Sequence, residues 1–363
     1  MNEFETSNRK TLSYCTTCPK LCRFACPVAH EEARETVTPW GLMNLLTRAV
    51  RGPGLNAELA DVLGHCTGCL ACQTACLHGI HVPKTLFEAR EWARNEGLGL
   101  GWEVGVTGAA EVRSRLDGAA LGFSKESRVG FFPACEGRVG DLGAVRRMAR
   151  IFERAHFDVQ LVESPWACCG APLLANGKRG LYADHAAQLA ERFASFDVVA
   201  TDCDELVATS RTPAWRQEAA GGGERVIHWT ELMEEGLVLS DLKSALAGDA
   251  RVFVYQDSCA LARGAGVTDA PRALLRWILG REAEEMPDKK EWSRCCGAGA
   301  GLPQVAPETA ANLARKLVAG RGEVFVRTSR SCGGHVASHY EGDAKLMLLD
   351  ELLADALGVE DDA

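Results

Sequence analysis

Two stretches decide the fold: Arg128-Val129-Gly130-Phe131-Phe132-Pro133-Ala134-Cys135 and Arg251-Val252-Phe253-Val254-Tyr255-Gln256-Asp257-Ser258-Cys259. Each is a short apolar run leading to a cysteine, the pattern of a buried strand that ends at a site. Cys168-Cys169-Gly170 follows the first stretch after 32 intervening residues, and Cys295-Cys296-Gly297 follows the second after 35. Each copy closes on another strand-like run and a cysteine, Asp197–Cys203 and Glu323–Cys332. Four cysteines recurring in the same order at nearly the same spacing mark an internal repeat. Between these landmarks the period is helical. Asp141 is placed to cap a helix through Phe152, residues 180–194 follow the same spacing, and Ala273–Ile278 and Ala310–Val318 occupy the matching places in copy two. Strands alternating with helices predict a parallel sheet with its site beyond the carboxyl ends of the strands. Cys135, Cys168, Cys169 and Cys203 should gather in copy one, and Cys259, Cys295, Cys296 and Cys332 in copy two.

Upstream lie two tight cysteine runs: Cys15, Cys18, Cys22 and Cys26, followed by Pro27, and Cys66, Cys69, Cys72 and Cys76. The second has the C-x2-C-x2-C-x3-C spacing of bacterial ferredoxins, and the first is one residue longer between its second and third cysteines. A four-iron cluster needs four thiolates converging on one small object, three from close positions and a fourth from elsewhere. In two-cluster ferredoxins the last cysteine of each run serves the other cluster. That assigns Cys15, Cys18, Cys22 and Cys76 to one [4Fe-4S] cluster and Cys66, Cys69, Cys72 and Cys26 to a second. Zinc is the alternative, although it usually takes two separated C-x2-C pairs. Arg34–Leu46 and Lys84–Ala93 look helical. The module therefore resembles the helical two-cluster ferredoxins of respiratory iron–sulfur subunits, in which a Pro-Arg-Gly triplet commonly follows the first run. Here that stretch reads Pro39-Trp40-Gly41.

The whole layout, over about residues 10–350, resembles heterodisulfide reductase with its cysteine-rich CCG domains. It is also similar to the iron–sulfur subunits of glycolate oxidase, lactate utilisation and anaerobic glycerol-3-phosphate dehydrogenase. Copy two carries the likeness more fully, in Tyr255–Arg263, Pro271–Leu275 and Cys295–Gly299. The resemblance implies an α+β protein in four parts. Residues 1–96 form a helical dicluster ferredoxin module and 97–127 a linker, and residues 128–245 and 246–363 are two repeated α/β CCG domains. It further implies one or two additional iron–sulfur clusters, or zinc, in the CCG domains. The full heterodisulfide reductase pattern ends each copy in C-x2-C. Here Leu206 and His335 stand where the fifth thiols would be. This departure shifts the match toward the respiratory subunits and away from disulfide chemistry. It also makes His335 a candidate nitrogen ligand or catalytic proton carrier.

Composition narrows the function. Sixteen cysteines in 363 residues, without an apolar leader after the polar start Met1–Lys10, point to metal rather than to disulfides. A net charge of -9 leaves no basic excess for phosphates, so nucleic acid is not expected as a partner. No apolar stretch is long enough to span a membrane. No dinucleotide fingerprint is present, which leaves flavin to another chain. The expectation is an iron–sulfur electron-transfer subunit, cytoplasmic or peripheral at the inner face of the membrane. It would relay electrons between an FAD-dependent dehydrogenase or electron-transferring flavoprotein and a quinone-reducing partner or a thiol/disulfide acceptor. A disulfide reductase acting at the CCG sites and a zinc-holding scaffold are the alternatives.

Overall fold

The computed structural model describes residues 3–100, 116–164, 166–212, 225–237, 243–318 and 322–359. The N-terminal part is helical. Helices Glu3–Thr17, Pro39–Arg51 and Val82–Asn95 pack around Phe4, Leu12, Leu42, Met43, Leu46, Leu86 and Trp92, with Phe4 and Trp92 stacked at 5.1 Å. The expected helix from Arg34 is broken. A short 3-10 turn covers Glu35–Val37, and the α-helix starts only at Pro39. Proline forces the residue before it out of the helical region, and Thr38 is accordingly extended (φ −65°, ψ 150°). Its hydroxyl then caps the new helix by accepting from Gly41 N at 2.9 Å.

Two four-stranded parallel sheets follow. In the first, β1 (Val129–Phe132), β2 (Gln160–Leu161), β3 (Val198–Thr201) and β4 (Val226–His228) run in the order β2-β1-β3-β4. In the second, β5 (Phe253–Tyr255), β6 (Glu284–Glu285), β7 (Val324–Arg327) and β8 (Lys345–Leu348) run β6-β5-β7-β8. The central pairs keep equivalent registers, Phe131 opposite Ala200 and Tyr255 opposite Val326. Asp141 caps the helix Leu142–Arg154 through Ala144 N at 3.1 Å, and Asp269–Leu279 is the helix in the matching place of copy two.

Strand alternation divides the burial. Phe131 of β1 and Phe253 and Tyr255 of β5 face one shared core with Met148, Phe152, Trp229, Met233, Leu274, Ile278, Leu352 and Leu353. Each fully buried large apolar side chain contributes roughly 1.5–3 kcal/mol, so this core joins the copies firmly. The opposite sheet faces close two smaller cores, one holding Cys168, Cys169 and Cys203, the other Cys296 and Cys332.

Both described ends of the expected 97–127 linker are packed into domains. Leu100 packs with Ala60 and Ala93, while Leu121 and Phe123 enter the shared core and Ser124 bridges to Gln160. Residues 101–115 of that stretch lie outside the described residues.

Candidate iron–sulfur sites

The strands end where the cysteines begin. Cys135 and Cys203 stand three and two residues beyond β1 and β3, and Cys259 and Cys332 four and five beyond β5 and β7. The fold gathers the sixteen thiols into four neighbourhoods. Cys15 and Cys22 each interact with Cys18 and Cys76. Cys26 lies beside Cys66 and Cys69, and Cys72 beside all three. Cys135 lies beside Cys168, and Cys169 beside Cys203. Cys295 lies beside Cys259 and Cys296, and Cys296 beside Cys332. Among the described residues no three ligating side chains converge closely enough to hold a single metal ion.

Burial is the largest cause of the raised pKa at Cys15, Cys22, Cys26, Cys66 and Cys72. It pushes Cys15 up to about 12 and Cys22 to about 11, with neighbouring thiols adding to the effect. Cys66 rises to about 11 although the Arg90 guanidinium opposes the shift. Uncharged thiols crowded in a dry space are costly to ionise, and bound metal reverses that cost. The residues fit such an occupant. An interior cavity is lined by Cys26, Cys66, Cys69 and Cys72, with Val28, Leu42, Val82 and Leu86 as apolar walls. Backbone amides already point at sulfur: Gly297 N to Cys295 Sγ and Gly170 N to Cys168 Sγ at 3.4 Å, and Ala298 N to Cys296 Sγ at 3.5 Å.

The second N-terminal set adjoins copy two. Cys69 is raised first by the neighbouring Cys295 thiol, then by burial. The Cys295 thiol also donates to Thr67 Oγ1 at 3.6 Å. Gly299 permits this approach, since a methyl there would meet Thr67 O at 2.2 Å. Arg263 bridges the seam by donating Nε to Cys69 O at 2.6 Å and Nη1 to Ser293 Oγ at 3.1 Å. Arg90, fully buried on the Val82–Asn95 helix, donates to Leu63 O, Cys66 O, Ala175 O and Ala300 O at 2.6–3.3 Å, tying all three domains together. The segments that carry Cys203 and Cys332 at the ends of β3 and β7 meet as well. Arg330 holds Asp202 at 2.8 Å and Asp350 at 2.6 Å, and Thr328 donates to Asp204 at 3.1 Å.

Copy one is the more acidic site. Glu136 Oε2 lies 3.4 Å from Cys135 Sγ and Glu205 Oε2 3.9 Å from Cys203 Sγ. Burial, then Asp204 and Glu136, push the Glu205 carboxyl up to about 7. The fifth-thiol positions differ in fate. Leu206 is buried in the apolar core of copy one. His335 sits on the Arg330–Ala337 helix one turn beyond Cys332, and its Nε2 is 3.2 Å from Ala310 O with its ring against His339. Burial lowers its basicity.

Sequence reasoning missed Arg90, Arg263 and Arg327. Arg90 left a signal: it lies on the apolar face of its helix, four residues after Leu86 and three before Ala93.

Comparison with known proteins agrees with this layout. Residues 11–80 match the 4Fe-4S dicluster domain family, and residues 129–205 and 253–337 each match the cysteine-rich domain family. The chain is 27% identical to one subunit of the fumarate reductase (CoM/CoB) of Methanothermobacter marburgensis, over 95% of this chain and 72% of that one. It is 25% identical to one subunit of the dihydromethanophenazine:CoB–CoM heterodisulfide reductase of Methanosarcina acetivorans, over 72% and 68%. It is 26% identical to the EtfAB:quinone oxidoreductase of Syntrophomonas wolfei, over 67% of this chain and 38% of that one. A hypothetical protein from Helicobacter pylori shares the fold at a TM-score of 0.56 and 8% identity, over 98% of this chain and 76% of that one.

Proposed function

Because the chain belongs to the heterodisulfide reductase-like iron–sulfur proteins that join a 4Fe-4S dicluster domain to cysteine-rich domains and carry electrons, we propose that it holds two [4Fe-4S] clusters in the dicluster domain and one in each CCG domain. Cys15, Cys18, Cys22 and Cys76 would hold the first, and Cys26, Cys66, Cys69 and Cys72 the second. The CCG sites would use Cys135, Cys168, Cys169 and Cys203, and Cys259, Cys295, Cys296 and Cys332. Such clusters take up and release single electrons. The protein's own residues supply the thiolates, the backbone amides aimed at them, and the apolar walls that keep water out.

The observation that carries the reading is the seam at which the Cys295 thiol donates to Thr67 Oγ1 at 3.6 Å and Arg263 to Cys69 O at 2.6 Å, which sets the second thiol group against copy two. It supports a route that enters at the first set and leaves at copy two. Phe24 and Leu77, 70% and 83% exposed, flank the entry end and offer a flavoprotein a docking face. An electron-transferring flavoprotein or FAD-dependent dehydrogenase is the proposed donor, and a quinone-reducing partner or a thiol/disulfide acceptor the proposed recipient. No helix among the described residues is long and apolar enough to cross a membrane, so contact with quinone would need a surface patch or a partner. His335 is the proposed proton carrier at the exit end.

Anaerobic purification followed by metal analysis tests the reading. Iron and acid-labile sulfide, with absorbance near 400 nm that dithionite bleaches, are expected. Stoichiometric zinc without a bleachable band would replace the electron relay with a scaffold.

A further inference from the structure

Arg327 ends β7. Val324 and Val326 face the shared core and Phe325 faces the smaller core that holds Cys296 and Cys332, so alternation puts Arg327 on the side of the cysteines. Its side chain passes Gly333, the residue after Cys332, where an added methyl would meet Arg327 Cδ at 3.5 Å. Arg327 is 2% exposed, and none of its three guanidinium nitrogens has a hydrogen-bond partner among the described residues. Its neighbour across the sheet, one step beyond the Tyr255–Val326 pair, is Gln256, whose Oε1 is also buried and unpartnered.

Other buried and half-buried arginines are compensated. Arg90 has four carbonyls, Arg147 has Asp350, Arg272 has Asp257 and Glu285, and Arg330 has Asp202 and Asp350. Copy one shows what an ordinary residue pair looks like at these two positions. There the strand-end residues are Phe132 and Thr201, and Thr201 is satisfied by donating to Phe132 O at 2.7 Å and accepting from Cys203 N at 3.0 Å. A buried guanidinium with five N–H donors and no acceptor is costly, and an anion placed beside it would offset that cost.

We propose that Arg327 is the countercharge and hydrogen-bond donor to the cluster held by Cys259, Cys295, Cys296 and Cys332. This rests on the cluster assignment made above. Four thiolates around a four-iron core make a net anion, and each added electron makes it more negative. A fixed cation in a dry surround stabilises the reduced form more than the oxidised one and raises the midpoint potential. Copy one has Glu136 and Glu205 beside its thiols and only Thr201 at the matching strand end, so the same step there meets negative charge. Arg327 thereby makes copy two the easier of the two CCG sites to reduce, and the natural terminus of the chain.

The test is iron content and a potentiometric EPR titration of wild type, Arg327→Met and Arg327→Lys. Met keeps an unbranched stem that reaches about as far as Nε, without the charge. Retained iron with the copy-two midpoint shifted negative in Arg327→Met, and a smaller shift in Arg327→Lys, is the expected result. Retained iron with an unchanged midpoint overturns the role of the arginine. If methionine costs copy two its iron, lysine must restore it, and failure to do so also overturns the proposal. Wild-type iron no higher than that of Cys296→Ser would mean that copy two holds no cluster. That outcome overturns the underlying assignment, and this proposal with it.

Discussion

Thr67 of the dicluster domain, the residue after Cys66, and Cys295 of the second CCG domain meet across the domain boundary, the Cys295 thiol donating to Thr67 Oγ1 at 3.6 Å. Cys295 alone among the shifted thiols has its pKa lowered, first by the neighbouring Cys259. The N-terminal site and the copy-two site are thus adjacent, and Arg263 fastens the seam by donating to Cys69 O at 2.6 Å. Copy one joins copy two through the shared apolar core, and near the cysteines through Arg330–Asp202 and Thr328–Asp204.

On the proposed assignment the two N-terminal sets exchange their last cysteines. Cys26→Ser should damage the site of Cys66, Cys69 and Cys72, and Cys76→Ser that of Cys15, Cys18 and Cys22. EPR of the reduced variants checks this by showing which of two magnetically coupled signals is lost. Loss in Cys26→Ser confined to the site of Cys15, Cys18 and Cys22 would refute the pairing.

Arg90 locks three domains to one another. Arg90→Leu leaves the carbonyls of Leu63, Cys66, Ala175 and Ala300 without their charged donor. Each unpaired buried polar group costs about 1–3 kcal/mol. Denaturant unfolding should show a loss of at least about 3 kcal/mol, and a change under about 1 kcal/mol would contradict the role.

His81 caps the Val82–Asn95 helix, its Nδ1 accepting from Lys84 N at 3.1 Å. Only the neutral ring can accept there. Burial, helped by Lys84 and opposed by Glu88, lowers its pKa below the ordinary 6.5. Stability from this cap is therefore present above pH 6.5 and is lost as pH falls through the lower folded value. His81→Asn keeps a cap that does not titrate. Melting temperatures of the two proteins should agree near pH 8, and the variant should gain by about 1 kcal/mol in acid. A difference independent of pH would show that the ring does not act as the cap.

Gly297 has a left-handed backbone, φ +90°, and a methyl there would meet Ala310 O at 2.8 Å. Gly297→Ala should disturb the adjacent Cys295 and Cys296 and cost roughly 1–2 kcal/mol from the backbone alone. Iron analysis should show a loss confined to copy two. Full iron with unchanged stability would argue that the turn adapts.

The repeat, the parallel strands and the ends of the strands at Cys135, Cys203, Cys259 and Cys332 were readable because each is written locally, in apolar runs and fixed spacings. The helix before Leu46 was misjudged because its apolar period extends past Pro39, which the backbone cannot follow. The shared core was not readable: alternation in Phe131, Phe253 and Tyr255 says that one face is buried, not that both copies bury it together. Nor were Arg90, Arg263 and Arg327. Their roles depend on carbonyls and thiols brought from distant parts of the chain, and an arginine in sequence carries no mark of the acceptor it will meet. The missing fifth thiols were visible at once in Leu206 and His335, but only the fold separates them, burying one in a core and setting the other against Ala310 O.

The most direct test of the account is Cys296→Ser, with iron content, low-temperature EPR and dye-linked electron transfer measured on one preparation. The account predicts loss of the copy-two iron and of acceptor reduction, while both N-terminal clusters stay reducible on their own ligands. Unchanged iron and unchanged acceptor reduction would contradict it, leaving copy two without a functional cluster.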